Sequence, residues 1–526
     1  MSEEAAPKVG EKQRFIRGSL LMTLSPTIAL ILGIVISILI DHYIPPDEYA
    51  IYEWYNVMYS FFITLIPLYL PSALSRYIAV AEGQGDEVSK EQLLKTSTLL
   101  CMTLVPFSGI SAFLLTPLVF NIIGIGASYS ALDSLIFSVG IMCINLSSFT
   151  ESVVGAFQEF DKLGISKFVA NILGQCTVII LIIFGVGIQA LLSKFVITNV
   201  ISAIFLTMVV KGIWSLRGSR YPLRPLLLYS YPSTISYLFG YFLNEILIRA
   251  IFQSYAVSGF ANELGLYGFA VRIAAVVNAL TMGFFQILGP YYAKAYGKGD
   301  KESLESELQW TLKVSFLIFL PLIVGAINIA PATFLILFPG AYYWSYQYFA
   351  LLMFQLFIFL FSRPYYQVLG AVGHTKTRLV CSATASMIAA AAMILVADIG
   401  LIIAVIAYIS NSFFEALFLI ISTKKRVGIR LGIRQVIPLI LIAFFTIGPA
   451  IIIHFLRLNP FFELILIICE FSLIYLLSIR LLGLVSKAEI LKAIEFLPPR
   501  LAVPITSILV RIMVKETGDE LLVSQE

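Results

Sequence analysis

The sequence predicts an all-α polytopic membrane protein with about 14 transmembrane helices, and three observations predict it. Hydrophobic residues fill 59% of the 526 positions, and the mean hydropathy is +0.93. Charged residues make up only 13%, against roughly a quarter in ordinary soluble domains. Apolar runs of about 20 residues recur along the chain, the length a helix needs to cross hydrocarbon. A chain this poor in charge cannot coat itself for water, so lipid must solvate much of its exterior.

The runs place six spans near 20–40, 54–75, 98–120, 134–155, 168–187 and 190–211. Six more follow near 229–254, 266–290, 312–338, 346–369, 379–397 and 400–421, and a last pair near 435–456 and 461–483. The first run is too long for the apolar core of a signal peptide and no A-x-A-like site follows it, so it reads as a span. Beyond residue 484, AEILKAIEFL and ITSILVRIMVK alternate apolar and charged residues, as a helix lying along a membrane face does.

Basic residues test this count, because they gather in cytoplasmic loops. With the N-terminus cytoplasmic, thirty of the 35 lysines and arginines fall in the two tails or in every second connection. One, Arg457, falls in an opposite loop; Lys194, Arg249, Arg272 and Arg363 lie within spans. A missed span would invert the alternation downstream, and no inversion occurs. The chain is therefore expected to be a multi-pass protein of the cell (plasma) membrane with both ends cytoplasmic. A net charge of +4 is too mild for nucleic acid. The five cysteines are scattered through apolar runs, without a CxxC pair, and read as small apolar side chains. The three histidines, His42, His374 and His454, are isolated, so neither a catalytic nor a metal site is expected.

The chain repeats itself at a spacing near 215 residues. EYAIYEW from Glu48 aligns with ELGLYGF from Glu263. AEGQGDEVSKEQL aligns with AYGKGDKESLESEL, setting Gly83, Gly85 and Asp86 on Gly297, Gly299 and Asp300. VVGAFQEFDKLGISK aligns with VLGAVGHTKTRL, setting Gly155 on Gly370. Each half holds six spans, an even number, so both start from the same side and form a parallel repeat. The expected division is a cytoplasmic tail (1–19), a first six-helix lobe (20–213), a linker (214–228), a second lobe (229–423), two extra spans (424–483) and the amphipathic tail (484–526).

Two six-span halves with matching glycine signatures, followed by two spans, resemble the MATE-like exporter superfamily, and within it the polysaccharide (O-antigen-type) flippase family. The most specific stretch is NEILIRAIFQSYAVSGFANELGLYGFAVRIAAVVNAL. It is similar to that family's acidic residue in span seven followed by a G-L-Y-x-x-A-x-[KR]-I start to span eight. Here these are Glu245, Gly265-Leu266-Tyr267, Ala270 and Arg272-Ile273; the family more often has aspartate where Glu245 stands. The resemblance implies a flippase, not an enzyme, that turns a polyprenyl-phosphate-linked oligosaccharide from the cytoplasmic to the outer leaflet by alternating access. It implies no cofactor and no ATP site, and no GxxxxGK[ST] occurs. An H+ or Na+ gradient, the membrane potential or substrate supply would then drive transport, with membrane lipids and glycan-assembly enzymes as partners.

Burying a sugar hydroxyl without a partner costs a few kcal/mol, so such a transporter must offer a wet, polar path. Ionisable residues within spans usually face one. Arg249, Arg272 and Lys194, with Asn244, are the candidates for attracting pyrophosphate or acidic sugars; the plainer reading is that Arg249 pairs with Glu245 at i, i+4. Glu245 is the candidate for a coupling ion. Arg363 and Glu151, at matching places in the two halves, are candidate gate residues, or a snorkelling side chain and a structural pair. Glu415 and Glu470 carry less weight. Prolines 26, 67, 71, 106, 232, 290, 321 and 364 fall inside spans and bend or break helices there. AYYWSYQYF reads as an aromatic belt. The main rival is a multidrug or cation antiporter of the same superfamily, which would show a compact acidic cavity and lack the two last spans; the basic in-membrane residues and the extra spans lean toward the flippase. A membrane glycosyltransferase would need a large outer loop, and the sequence has none.

Overall fold

The computed structural model describes residues 32–486 except 123, 125–129, 158, 211, 240–242, 258–262, 298–300 and 431. The N-tail, the first half of span one with Pro26, the amphipathic tail, and Gly299 with Asp300 lie outside the described residues. The chain is an all-α, multi-pass membrane protein. In order it forms α1 (Leu32–Tyr43), α2 (Pro46–Leu65), α3 (Leu70–Gln84), α4 (Glu87–Ile122), α5 (Ala131–Ala156) and α6 (Phe160–Ile183). Then come α7 (Ile188–Val209), α8 (Leu223–Tyr237), α9 (Leu243–Val257), α10 (Glu263–Gly297), α11 (Lys301–Leu337) and α12 (Ser345–Ala371). The last are α13 (Thr375–Val396), α14 (Leu401–Arg426), α15 (Ile437–Phe445), α16 (Ile447–Phe455) and α17 (Pro460–Leu481). Among the described residues, 12 stretches are long and apolar enough to cross a membrane. α1 lies within the expected span one, and α8 and α9 lie at the two ends of the expected span seven.

Three departures from the expected spans have local causes. Span two starts at Pro46 instead of 54, because proline suits the first helical position and Asp47 and Glu48 complement the helix dipole there. It is also broken: α2 ends before Pro67, and Leu68 and Tyr69 take left-handed backbone angles (φ 48° and 55°), uncommon for bulky residues. Finally, α4 and α11 begin about 11 residues before their apolar runs, extending roughly 16 Å beyond them.

The repeat's G-x-G-D signature is a helix stop and start. Gly85 takes φ +67° as the cap of α3, and the Asp86 amide donates to the Ala81 carbonyl at 2.9 Å. The Asp86 carboxylate then accepts from the Ser89 amide at 3.0 Å, which starts α4; hydrogen bonding from the Ser89 hydroxyl, and then from its amide, holds the carboxyl below its usual range.

The chain packs into two compact units. The first comprises the described residues up to 279, with 340–348 and 379–411. Its core packs α3, α4, α5, α7 and α8 around Leu74, Ile78, Phe149, Val153 and Leu206. Helices approach closely where side chains are missing: a Cβ on Gly140 would lie 2.8 Å from that of Phe195, and one on Gly174 would lie 2.1 Å from Thr198 Oγ1. Connections sort by parity in this unit. At one end Asp41 accepts from the amides of Gly340 and Tyr342 (3.2 and 3.3 Å), and Tyr348 donates to Glu263. At the other, Lys95 donates to the Gly218 carbonyl at 2.6 Å and Gln92 to Ser219 at 2.8 Å.

The second unit comprises the described residues within 280–339, 349–378 and 412–486. Here α15, α16 and α17 pack on α11. Tyr475 donates to the Leu317 carbonyl at 3.3 Å, and Gln435 to Gln309 at 3.0 Å.

Candidate functional site

In the first unit, α2, α9, α10 and α14 bring a charged cluster together inside the span region. On α2, Tyr49, Tyr52, Glu53 and Asn56 follow i, i+3, i+4, i+7 spacing and so share one face. On α9, Glu245, Ile248, Arg249 and Phe252 do the same, with Asn244 adjoining them, and all five are buried. Arg249 Nη2 donates to Glu53 Oε2 at 3.0 Å, and Nη1 pairs with the Glu245 carboxylate one turn back. Tyr408 on α14 donates to Glu245 Oε1 at 2.6 Å, and Asn56 donates to Glu53 Oε1 at 3.1 Å. The guanidinium carbon stands 5.9 Å from the Tyr267 ring centroid. Glu53, Arg249 and Glu245 are 3%, 4% and 7% exposed. Two carboxylates thus share one guanidinium away from water. Each oxygen of both acids has a partner, which is the condition under which charges persist at such depth.

The crossing of α2 over α10 requires glycine twice. A Cβ on Gly265 would lie 1.9 Å from the Pro46 carbonyl oxygen, and one on Gly268 would lie 2.1 Å from Glu53 Cγ. Gly268 and Glu53 occupy the same place in the two copies of the repeat, ELGLYGF and EYAIYEW. Equivalent positions facing each other are what a two-fold relation places on its axis.

The other sequence candidates surround this crossing. Arg272 Nε donates to Ser37 Oγ on α1 at 3.0 Å, and its charge acts on Tyr49, Tyr52 and Lys194. Lys194 neighbours Phe195 on α7, which stacks on Tyr59 at 4.4 Å and Tyr52 at 6.4 Å. Arg249, Arg272 and Lys194 thus lie in one neighbourhood with Glu245. Asn244 is buried, and its amide atoms have no hydrogen-bond partner among the described residues. Glu151 belongs to another set: it pairs with Lys167 at 2.9 Å and accepts from Ser147 (3.0 Å) and Ser202 (3.3 Å). Arg363, in the second unit, is half-buried with its guanidinium 4.7 Å over the Phe359 ring.

Reasoning from the sequence missed Glu53, Gly268 and Tyr408. Glu53 had a signal, an acid inside an apolar helix, but starting span two at 54 put it outside the membrane. Tyr408 had none, being one of 26 tyrosines. Among the described residues, no group of three His, Cys, Asp or Glu could hold a metal.

A family model described as polysaccharide biosynthesis protein matches residues 46–346, more than half of the chain. The chain belongs to this family. The matched segment begins with α2 and includes Glu53, Lys194, Glu245, Arg249 and Arg272 of this polysaccharide biosynthesis protein. No curated protein matches its sequence. Its fold is similar to that of a lipid II flippase, MurJ, in an inward closed conformation (TM-score 0.65, 16% identity, 87% of this chain and 98% of that one). It is also similar to an inward-facing multidrug resistance MATE family transporter of the MOP superfamily (0.65, 15%, 78% and 98%). An outward-facing MATE transporter matches as well (0.58, 18%, 80% and 96%).

Proposed function

We infer that this chain is a flippase that carries a polyprenyl-phosphate-linked oligosaccharide from the cytoplasmic to the outer leaflet of the plasma membrane. The observation that carries the reading is the Glu53–Arg249–Glu245 cluster, buried where helices of the two sequence repeats cross. An ion pair can exchange its partners for water or for a phosphate, which Leu-on-Leu packing cannot do. A guanidinium held between two acids is a phosphate ligand in waiting, because its planar fork fits phosphate oxygens as well as carboxylate ones. Arg272 and Lys194 add positive charge to the same neighbourhood, and Asn244 adds an amide to meet hydroxyls. Opening the crossing at Gly265 and Gly268 toward one side and then the other is the alternating-access step. Glu245, once released from Arg249, is the group to take up H+ or Na+. The gathering of basic residues in every second connection supports cytoplasmic placement of both termini. Transport changes no covalent bond, so no catalytic residue is assigned, and glycan-assembly enzymes on the cytoplasmic side are the partners that supply the substrate.

The likeness to MATE transporters together with a buried acid favours a second reading, a drug or cation antiporter. Purified protein in liposomes separates the two. Labelled lipid-linked oligosaccharide should become accessible on the opposite leaflet at a rate set by the protein. Ion-coupled drug efflux without glycan movement would establish the antiporter instead.

A further inference from the structure

At the end of the first unit where α9 stops and α10 and α14 start, a cavity of about 480 Å³ opens. Its walls include Tyr255, Glu263, Leu266, Trp344, Gln347 and Tyr348, with residues 400–403 along one side. Trp344 is 57% exposed, so much of its ring is left uncovered by protein. The opposite character is built in beside it: Tyr348 donates to Glu263 Oε2 at 2.5 Å, which fixes the carboxylate on the wall. Tyr348 is itself held edge-on by Phe252 at 5.4 Å and Tyr267 at 6.0 Å. Tyr267 is also the ring beside the Arg249 guanidinium. A run of aromatic contacts therefore joins this cavity to the charged cluster.

Aromatic faces beside a carboxylate and an amide match one kind of guest. A pyranose has an apolar C–H face that lies on an aromatic ring, and hydroxyls that donate to a carboxylate and exchange hydrogen bonds with an amide. A phosphate has the wrong charge for Glu263, and an acyl or prenyl chain has no use for Glu263 or Gln347. The volume lies within the range of small-ligand sites. The corresponding corner of the first half is built otherwise. There Glu48, the repeat equivalent of Glu263, stands 3.5 Å from where a Cβ on Gly187 would be and within electrostatic reach of Asp133. Asp133 holds the place that Tyr348 takes at the repeat spacing. The aromatic cavity is thus particular to the second half and does not follow from the repeat.

We propose that this cavity is a carbohydrate subsite, taking a sugar ring of the glycan on the side where translocation delivers it. The proposal rests on the flippase reading and assigns to it the part of the substrate recognised outside the membrane.

Two measurements test it. Liposomes carrying wild type, Trp344→Ala, Trp344→Phe or Glu263→Gln, each eluting as the wild type does, receive sub-saturating lipid-linked oligosaccharide from the source membranes. Trp344→Ala should slow translocation about tenfold, Glu263→Gln by several-fold, and Trp344→Phe should retain most of the rate. Separately, glycan released from that lipid by mild acid should change the tryptophan emission of the wild type but not of Trp344→Phe. If wild type moves glycan and the alanine and glutamine variants move it equally well, with no emission change, the subsite is overturned and the flippase reading stands. If wild type moves no glycan but the released glycan still changes Trp344 emission, the flippase reading fails and the sugar site survives. An emission change given by polyprenyl phosphate alone would assign the cavity to a lipid headgroup and overturn the proposal.

Discussion

Two ion-paired clusters in the first unit use the same chemistry at different depths. Glu53–Arg249–Glu245 has side chains 4–9% exposed and joins helices of both sequence repeats. Glu151–Lys167 has side chains 25% and 43% exposed and joins α5 to α6, with Ser202 of α7 hydrogen-bonded to it, all within the first repeat. In the second, water competes for both charges, so the pair adds little and can break at little cost. In the first, removing one partner strands charge in a dry interior. Depth, and which halves are joined, separate a cluster that can govern a conformational change from one that trims the packing of a single bundle.

The sharpest way to break this contrast is to delete the shared partner. Arg249→Ala should destabilise the protein by about 3–5 kcal/mol, read from denaturant or thermal unfolding in detergent, and abolish transport. Adding Glu53→Gln and Glu245→Gln should recover much of that stability and none of the transport; full recovery of both would mean that the charges only pack. Gly268→Leu should come next, costing about 1–3 kcal/mol because the new side chain must displace Glu53. Its transport should fall while Gly448→Ala, where no atom lies within 4 Å of the new Cβ, leaves transport unchanged. Tyr408→Phe removes one hydrogen bond to the Glu245 carboxylate and should cost roughly 1.5–3 kcal/mol. Glu151→Gln should be the mildest, within about 1 kcal/mol and with transport intact. A loss of transport there as large as that of Arg249→Ala would erase the distinction between the two clusters.

Much of the architecture was legible because lipid imposes it. Hydropathy and the alternation of basic loops led to fourteen spans, and the G-x-G-D repeat marked a helix boundary that Gly85 and Asp86 build. The in-membrane arginines and Glu245 announced themselves by their cost in hydrocarbon. Glu53 was misplaced because its neighbours Asp47 and Glu48 made the start of span two look like a loop, when they are the first turn of a helix. Leu68 and Tyr69 gave no warning of their left-handed turn beyond Pro67 and Pro71. Gly265 reads from the sequence only as part of a family signature and Gly268 as an unmarked position between signature residues; the packing of α10 on α2 shows what their missing side chains permit. Tyr348 and Trp344 were assigned to an aromatic belt, since periodicity cannot tell a ring that faces headgroups from one that lines a cavity.

The central claim is that the crossing of α2 and α10 over Glu53 and Arg249 opens while the protein works. A distance measurement between spin labels at Asp47, on the first turn of α2, and Asp398, between α13 and α14, tests it most directly. Both positions are exposed. With the native cysteines replaced and the protein in lipid, the account predicts one distance that gains a second, distinct population when lipid-linked oligosaccharide is added. Arg249→Ala should move that balance without substrate. One unchanging distance, with and without substrate, in a preparation that transports glycan would contradict it.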